Sequence, residues 1–296
     1  MTEFDGGRAL QEPLAPGLSQ LWELDDIRYE GDTAYQHVVI AKTAQGVSLF
    51  CDDDPQSNEF SHILYHEALL VPALLLAERV DRVLAVGSSE GVISKLALNA
   101  GASLVDHVDI DTEAVRLCAE HLPYGYTPAE LAGVEANAET GDGPVRMYYA
   151  DGWDFVRRAA ESTTDKYDII IVDLPGERDD DAQHNRLFGT DFLTLCASAL
   201  AEGGVVGSQV GCPNLWQNAT LLRSWQRFND AFDTVAHYGS DEFNWSFLFG
   251  RADKVADPTA RMIERLATCE YRPVSIDSDA LVAGGIPPYS VRHARR

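Results

Sequence analysis

Four short polar stretches each follow an apolar run, and the residue types they carry suggest one ligand. Val86-Gly87-Ser88-Ser89-Glu90-Gly91 ends the run that starts at Arg82. Glycines there would let the backbone turn sharply and approach a ligand as the next helix begins. Asp109-Ile110-Asp111 comes about 20 residues later, where a carboxylate can accept both hydroxyls of a ribose. We take Asp109 as the ribose acid and Asp111 as a cap for the helix that starts at Thr112. Tyr149-Ala150-Asp151-Gly152-Trp153 places an acid where adenine's amino group could donate to it, although Asp151 would serve equally well as a helix cap. Asp173 directly follows Ile169-Ile170-Ile171-Val172, and Leu174-Pro175-Gly176 turns the chain away. A carboxylate there can orient or deprotonate an incoming amine or hydroxyl. The glycine loop lacks the GxGxxG spacing of a dinucleotide site, so the four stretches in this order suit an adenosyl donor better than a nicotinamide.

These residues gain meaning from the elements that must carry them. Strand, glycine turn and helix recur from Arg82 onward, and the strands are almost continuously apolar. That pattern predicts a parallel sheet covered on both faces, an α/β fold of Rossmann-like type, with ligands at the carboxyl ends of the strands. Strands are expected at Arg82–Val86, Leu104–Ile110, Val145–Tyr149, Tyr167–Asp173 and Gly204–Ser208, and two closing strands within Ala231–Tyr238 and Trp245–Gly250. Helices are expected at Val92–Asn99, Thr112–His121, Trp153–Ala160 and Phe192–Ala201, with a polar loop from Pro128 to Gly143. Before them, residues 21–50 alternate as half-buried strands do, and predict a small antiparallel sheet closed by Asp52-Asp53-Asp54-Pro55. A helical pattern over 61–79 is expected to break at Pro72. The division expected is a β-domain over 1–60, a catalytic domain over 61–285 and a C-terminal tail over 286–296, of which Arg292 to Arg296 are expected to be frayed and solvated.

Composition narrows the partners. Acidic residues outnumber Lys plus Arg by 47 to 23, a balance that repels phosphate backbones and anionic lipid and concentrates cations such as amines. We therefore expect no nucleic-acid or membrane partner and a cytoplasmic location, since neither a leader pattern nor a long uncharged apolar run is present. The five cysteines stand apart, without CxxC or His/Cys grouping, so neither a metal site nor a disulfide framework is expected.

With these residues in place, the chain from about Tyr35 to Gly250 resembles the spermidine synthase family of aminopropyltransferases. The likeness rests on Tyr35-Gln36, on Gln56 ahead of Tyr65-His66-Glu67, and on Leu187-Phe188, Phe192 and Ser208-Gln209. It implies that Gln36, Gln56, His66, Glu90, Asp109, Asp151 and Gly152 surround the donor and that Asp173 activates an acceptor amine. It also implies a small N-terminal β-domain, a Rossmann-like catalytic domain and a homodimer or larger assembly.

Three departures bear on substrate. The family's Asp-Glu pair ahead of Tyr-His-Glu is Ser61-His62, the second acid after the catalytic Asp is Gly176, and the Gly-Gly-Gly-Asp-Gly loop is Gly87-Ser88-Ser89-Glu90-Gly91. A diamine thus loses counter-charge. Ser88 and Ser89 at a helix start could instead hold the carboxylate of intact S-adenosylmethionine, with Glu90 on its amine. The expected reaction is transfer of the aminopropyl or, preferentially, the 3-amino-3-carboxypropyl arm to a small-molecule amine or hydroxyl, the latter being the reaction type of isonocardicin synthase. The donor is S-adenosylmethionine or its decarboxylated form. Methyl transfer is the alternative reading, and a non-catalytic binding protein on the same fold a further one. His62, His66 and His184 are other candidate bases, and Trp153, Trp216, Phe243 and Trp245 candidate acceptor-lining aromatics, with core packing open for each aromatic.

Overall fold

The computed structural model describes residues 2–4, 7–178, 182–212, 218–240 and 244–294, so Trp216 and Phe243 lie outside the described residues. Six strands, β1 (Thr2–Phe4), β2 (Gly7–Ala15), β3 (Leu18–Asp32), β4 (His37–Thr43), β5 (Gly46–Cys51) and β6 (Asp54–Asn58), follow one another in an antiparallel sheet. This sheet is larger than the alternation over 21–50 predicts. The acidic run does not close it: Asp52 and Asp53 adopt φ of 51° and 67° and turn the chain into β6. Aspartate tolerates that left-handed region better than most side chains, which is why a run of Asp can make a turn between strands.

Helix α1 (His62–Leu76) runs through Pro72 without breaking. The missing hydrogen bond and ring clash cost on the order of 3 kcal/mol. Leu69, Leu70, Leu74, Leu75 and Leu76, all buried, outweigh that cost at about 1.5–3 kcal/mol each. Glu67 in this helix is fully buried, and its carboxylate accepts from Tyr271 Oη (2.7 Å), Val274 N (2.8 Å), Ser275 N (2.8 Å) and Ser275 Oγ (2.6 Å). It ties α1 to a segment far along the chain.

The second layer alternates β7 (Arg82–Gly87), α2 (Val92–Asn99), β8 (Leu104–Asp109), α3 (Thr112–His121), α4 (Pro128–Thr140), β9 (Val145–Tyr149), α5 (Gly152–Glu161) and β10 (Tyr167–Asp173). After a 3₁₀ turn at Gln183–Phe188 come α6 (Thr190–Ala199), β11 (Leu200–Gln209), α7 (Ala219–Ala231), β12 (Thr234–Gly239), β13 (Ser246–Arg251), α8 (Pro258–Thr268), α9 (Ser278–Gly284) and α10 (Tyr289–Ala294). The expected polar loop at 128–143 is mostly helix. Thr127 and Glu130 form a reciprocal capping box, and Pro128 takes the first-turn position where its missing N–H does no harm. Of the residues expected to be solvated, Arg292 and His293 are exposed, while Val291, just before them in α10, is buried in the same core as Leu221, Trp225 and Phe228 of α7.

The seven-stranded sheet has the order β12-β13-β11-β10-β7-β8-β9, and β12 and β13 run antiparallel to their neighbours in an otherwise parallel array. Alternate residues of each central strand feed opposite cores. Val83, Ala85, Ile169 and Ile171 join the core that contains α1 and α2, while Leu84, Val86, Ile170 and Val172 join the one that contains α6 and α7. Burial on both faces explains why these strands read as continuous apolar runs. The chain leaves β7 toward β8 on one side, and β10 returns on the other, so the sheet's switch point lies between β7 and β10. There the backbones diverge and open a crevice.

Candidate active site

A cleft of about 1550 Å³ lies at that switch point, walled on its other side by residues of β2, β3 and β6. Asp173 pairs in register with Gly87, so the last residue of β10 and the glycine loop of β7 meet at its floor. Gly87 has φ of 82°, and a Cβ there would stand 2.1 Å from the Asp173 carbonyl oxygen. Only glycine fits. Ser88 N donates to that same carbonyl at 2.9 Å, which fixes the loop to the acid's backbone.

The Asp173 side chain is held as firmly. Tyr65 Oη donates to Oδ1 at 2.8 Å, and Oδ2 lies 3.8 Å from His66 Nε2. His66 Nδ1 sits 2.6 Å from the His62 carbonyl, which can only accept, so Nδ1 carries a proton. Nε2 then faces Glu90 Oε1 at 3.3 Å as well as Asp173. A bare lone pair between two carboxylates would be repelled by both, so a further proton resides in this cluster. Burial alone would lower the His66 pKa, but Glu90 and then Asp173 outweigh it and the net direction is upward. Glu90 moves down, because His66 more than offsets its burial. Asp173 moves up, chiefly through burial, with His66 and Tyr65 only partly opposing. Of the three groups, His66 and Asp173 hold a proton more readily than usual and Glu90 gives one up more readily, so Glu90 is the cluster's anion and His66 its cationic partner at 3.3 Å.

Toward β8, Asp109 accepts from Ser89 Oγ at 2.7 Å and from Asp111 N at 2.8 Å. Burial pushes its pKa up to about 6. Asp111 caps α3 through Ala114 N, as expected, and also accepts from Thr33 Oγ1 (2.6 Å) and Gln36 Nε2 (3.2 Å). Gln36 is thereby turned into the cleft from the first sheet.

Of the eleven residues expected to bind the donor or to act as the catalytic acid, nine line the cleft: Gln36, Gln56, Gly87, Ser88, Ser89, Glu90, Asp109, Gly152 and Asp173. His66 stands behind Glu90 and Asp173, almost wholly buried. Asp151 lies between two cleft residues, Ala150 and Gly152, but its carboxylate caps α5 through Asp154 N and accepts from Gln183 and Arg186. His62 lines the cleft stacked 4.3 Å from Tyr124, and His184 Nε2 reaches the Gly176 carbonyl at 3.0 Å. Of the aromatics, Trp245 lines the cleft edge-on to Tyr65, whereas Trp153 packs against Phe192.

Sequence reading passed over the wall opposite. Glu12, Gln20 and Trp22 of the β2–β3 hairpin, Asp54 of β6, and Glu177 and Arg178 after β10 all line the cleft. The signal for the hairpin was Pro16-Gly17, a turn dipeptide between two alternating runs. Trp22 Nε1 donates to Glu12 at 2.7 Å, and Glu177 is clamped by Arg223 and Arg227 of α7. Among the described residues no group of three or more His, Cys, Asp or Glu could hold a metal ion, and no helix is long and apolar enough to cross a membrane.

The same architecture occurs in solved structures. The chain superposes with a TM-score of 0.79 on a spermidine synthase in complex with the transition-state analogue AdoDATO, at 19% identity, covering 99% of this chain and 97% of that one. With the spermidine synthase of Thermotoga maritima the TM-score is 0.77 at 18% identity, covering 99% and 96%. In sequence it is 28% identical over 235 residues to a polyamine aminopropyltransferase of Pectobacterium atrosepticum, 77% of this chain and 74% of that protein. A polyamine aminopropyltransferase of Pyrobaculum calidifontis is 30% identical over 213 residues, 71% of this chain and 70% of that one. The model of the spermine/spermidine synthase domain matches residues 62–238, a span that begins with α1 and carries His66 on that helix, the glycine loop after β7, and Asp109 and Asp173 at the ends of β8 and β10. The chain belongs to the spermine/spermidine synthase family.

Proposed function

We propose that this protein transfers the propyl arm of an S-adenosyl sulfonium donor to an amine or hydroxyl of a small-molecule acceptor and releases methylthioadenosine. The observation that carries this reading is the Asp173 carboxylate, held by Tyr65 and His66 on the floor of a cleft that also presents Asp109 and the glycine loop. In this reading Asp109 accepts the ribose hydroxyls, Gly152 and the adjacent backbone take the adenine, and Gln36 and Gln56 close the donor site from the first sheet. Glu90, paired with His66, meets the donor's amine.

The displacement needs alignment more than covalent help. The acceptor's lone pair forms a bond to the arm's sulfur-bound CH₂ as the carbon–sulfur bond breaks, the bonding electrons go to sulfur, and the acceptor's proton goes to Asp173. Holding nucleophile and carbon about 3 Å apart in line supplies most of the rate, and a base with a raised pKa completes it.

The donor form turns on Ser88. Its buried hydroxyl has no partner of ordinary hydrogen-bond geometry, yet lies close enough to Asp173 to lower that acid's pKa; in this reading the α-carboxylate of intact S-adenosylmethionine would draw it away from Asp173. This favours 3-amino-3-carboxypropyl over aminopropyl transfer. Incubation of the protein with each donor form and a panel of primary amines and phenols, followed by chromatography of the nucleoside product, tests the reading. Methylthioadenosine is expected. S-adenosylhomocysteine would replace the reading with methyl transfer, and absence of either nucleoside with every acceptor would leave a binding protein.

A further inference from the structure

The peptide that joins Gly87 to Ser88 is bonded at both of its polar atoms, each to a different strand. Its N–H donates to the Asp173 carbonyl of β10 at 2.9 Å, and its carbonyl oxygen lies 2.8 Å from His107 Nε2 of β8. A carbonyl only accepts, so Nε2 carries a proton. Nδ1, 3.2 Å from Tyr126 Oη, is then the ring's acceptor, and burial keeps the ring neutral by lowering its pKa to about 4. The register of β7 with β8 ends at Val86 and Val108, so the last carbonyl of β7 takes its bond from a side chain of the neighbouring strand.

That peptide is held in a strained orientation. Ser88 has φ of 66°, in the left-handed region that serine adopts at a cost and glycine freely. Turning the peptide plane over would carry this φ to about −110°, inside the region open to any residue, but would break both hydrogen bonds. The resemblance places glycine at this position, where the strain would not arise. We propose that His107 is a positioning residue of the donor site, which through the Gly87 carbonyl holds the 87–88 peptide against that flip and keeps the loop in the conformation that lines the cleft. The ribose acid depends on the same loop, since Asp109 follows His107 on β8 and accepts from Ser89 Oγ.

Only the role toward the donor rests on the arm-transfer reading, and two measurements separate it from the hold on the peptide. The first needs no ligand: exchange of the residue-88 amide, followed by NMR in the native chain, His107→Leu and His107→Gln. His107→Leu should speed that exchange at least ~10-fold, because the buried carbonyl loses its partner. Unchanged exchange at Ile169 to Ile171 shows that the variant is folded. Glutamine, whose amide reaches where Nε2 stood, should restore most of the protection. The second measurement is calorimetry of methylthioadenosine on these chains, on Ser88→Gly and on Ser88→Gly combined with His107→Leu. His107→Leu should weaken binding about 5–10-fold, in proportion to the fraction of chains left unflipped, and His107→Gln should recover it. With glycine at 88 the flip relieves no strain, so the same His107→Leu change should cost less than about 3-fold. A histidine that merely fills the core would cost as much with either residue at 88. Native exchange in His107→Leu, no rescue by glutamine, unchanged affinity in His107→Leu or an equal cost in the Ser88→Gly background overturns the assignment. The expected exchange pattern in a native chain that binds no methylthioadenosine would uphold the hold on the peptide and overturn arm transfer instead.

Discussion

Tyr65 donates to one oxygen of Asp173 at 2.8 Å and leaves the other facing His66 Nε2 at 3.8 Å, so a single carboxylate has one oxygen engaged by a neutral hydroxyl and one near an imidazole without a hydrogen bond to it. Burial raises its pKa above 3.8. The sign for catalysis follows directly. Below that raised pKa the carboxyl is protonated and cannot take the acceptor's proton, so kcat/KM should climb with pH on its acid side through a value higher than an ordinary aspartate's. Asp173→Asn should remove that limb and lower kcat by about 10²–10⁴-fold, while calorimetry finds methylthioadenosine affinity nearly unchanged. A matched loss of nucleoside affinity would mean that Asp173 positions the donor instead of serving as base.

At the scale of elements, the site is an agreement between β7 and β10. Gly87→Ala would drive a methyl into the Asp173 carbonyl at a positive φ that alanine resists, and no flexible side chain can yield there. The loop and the strand end must separate. Urea unfolding should show a loss of about 2–4 kcal/mol, and donor affinity should fall with it. Retention of both would mean that the loop has room to reseat. The strands and helices around this loop were legible in the sequence because each obeys one period, and Val92–Asn99 and Thr112–His121 are found with the expected bounds. Where local chemistry and tertiary burial disagree, the sequence misleads. Pro72 marks a break that α1 ignores because its leucines are buried all round, and the polar stretch at 128–140 hides a helix whose cap was written in Thr127 and Glu130. In the site, the acids at strand ends were legible from position alone. Asp54 was not, because nothing local shows that β6 and the loop after β10, some 120 residues on, share one cleft.

Over the whole molecule the formal charge is −24, and the cleft adds Glu12, Asp54, Glu90, Asp109 and Asp173 to one opening. Such a field draws cations inward and is screened within about 8 Å at physiological salt. Raising NaCl from about 50 to 500 mM should therefore raise the acceptor's KM several-fold with little change in kcat, read from initial rates at saturating donor. A KM indifferent to salt would assign the net charge to solubility alone. Glu67 bridges one of the long spans among the described residues, with partners at 271–275. During synthesis at about 5–20 residues per second, the helix that bears Tyr65 and His66 waits some 10–40 seconds for those groups to leave the ribosome. Throughout that interval the nascent chain holds a carboxylate without its partners, so the helix beneath the cleft can reach its final seat only after Ser275 has emerged.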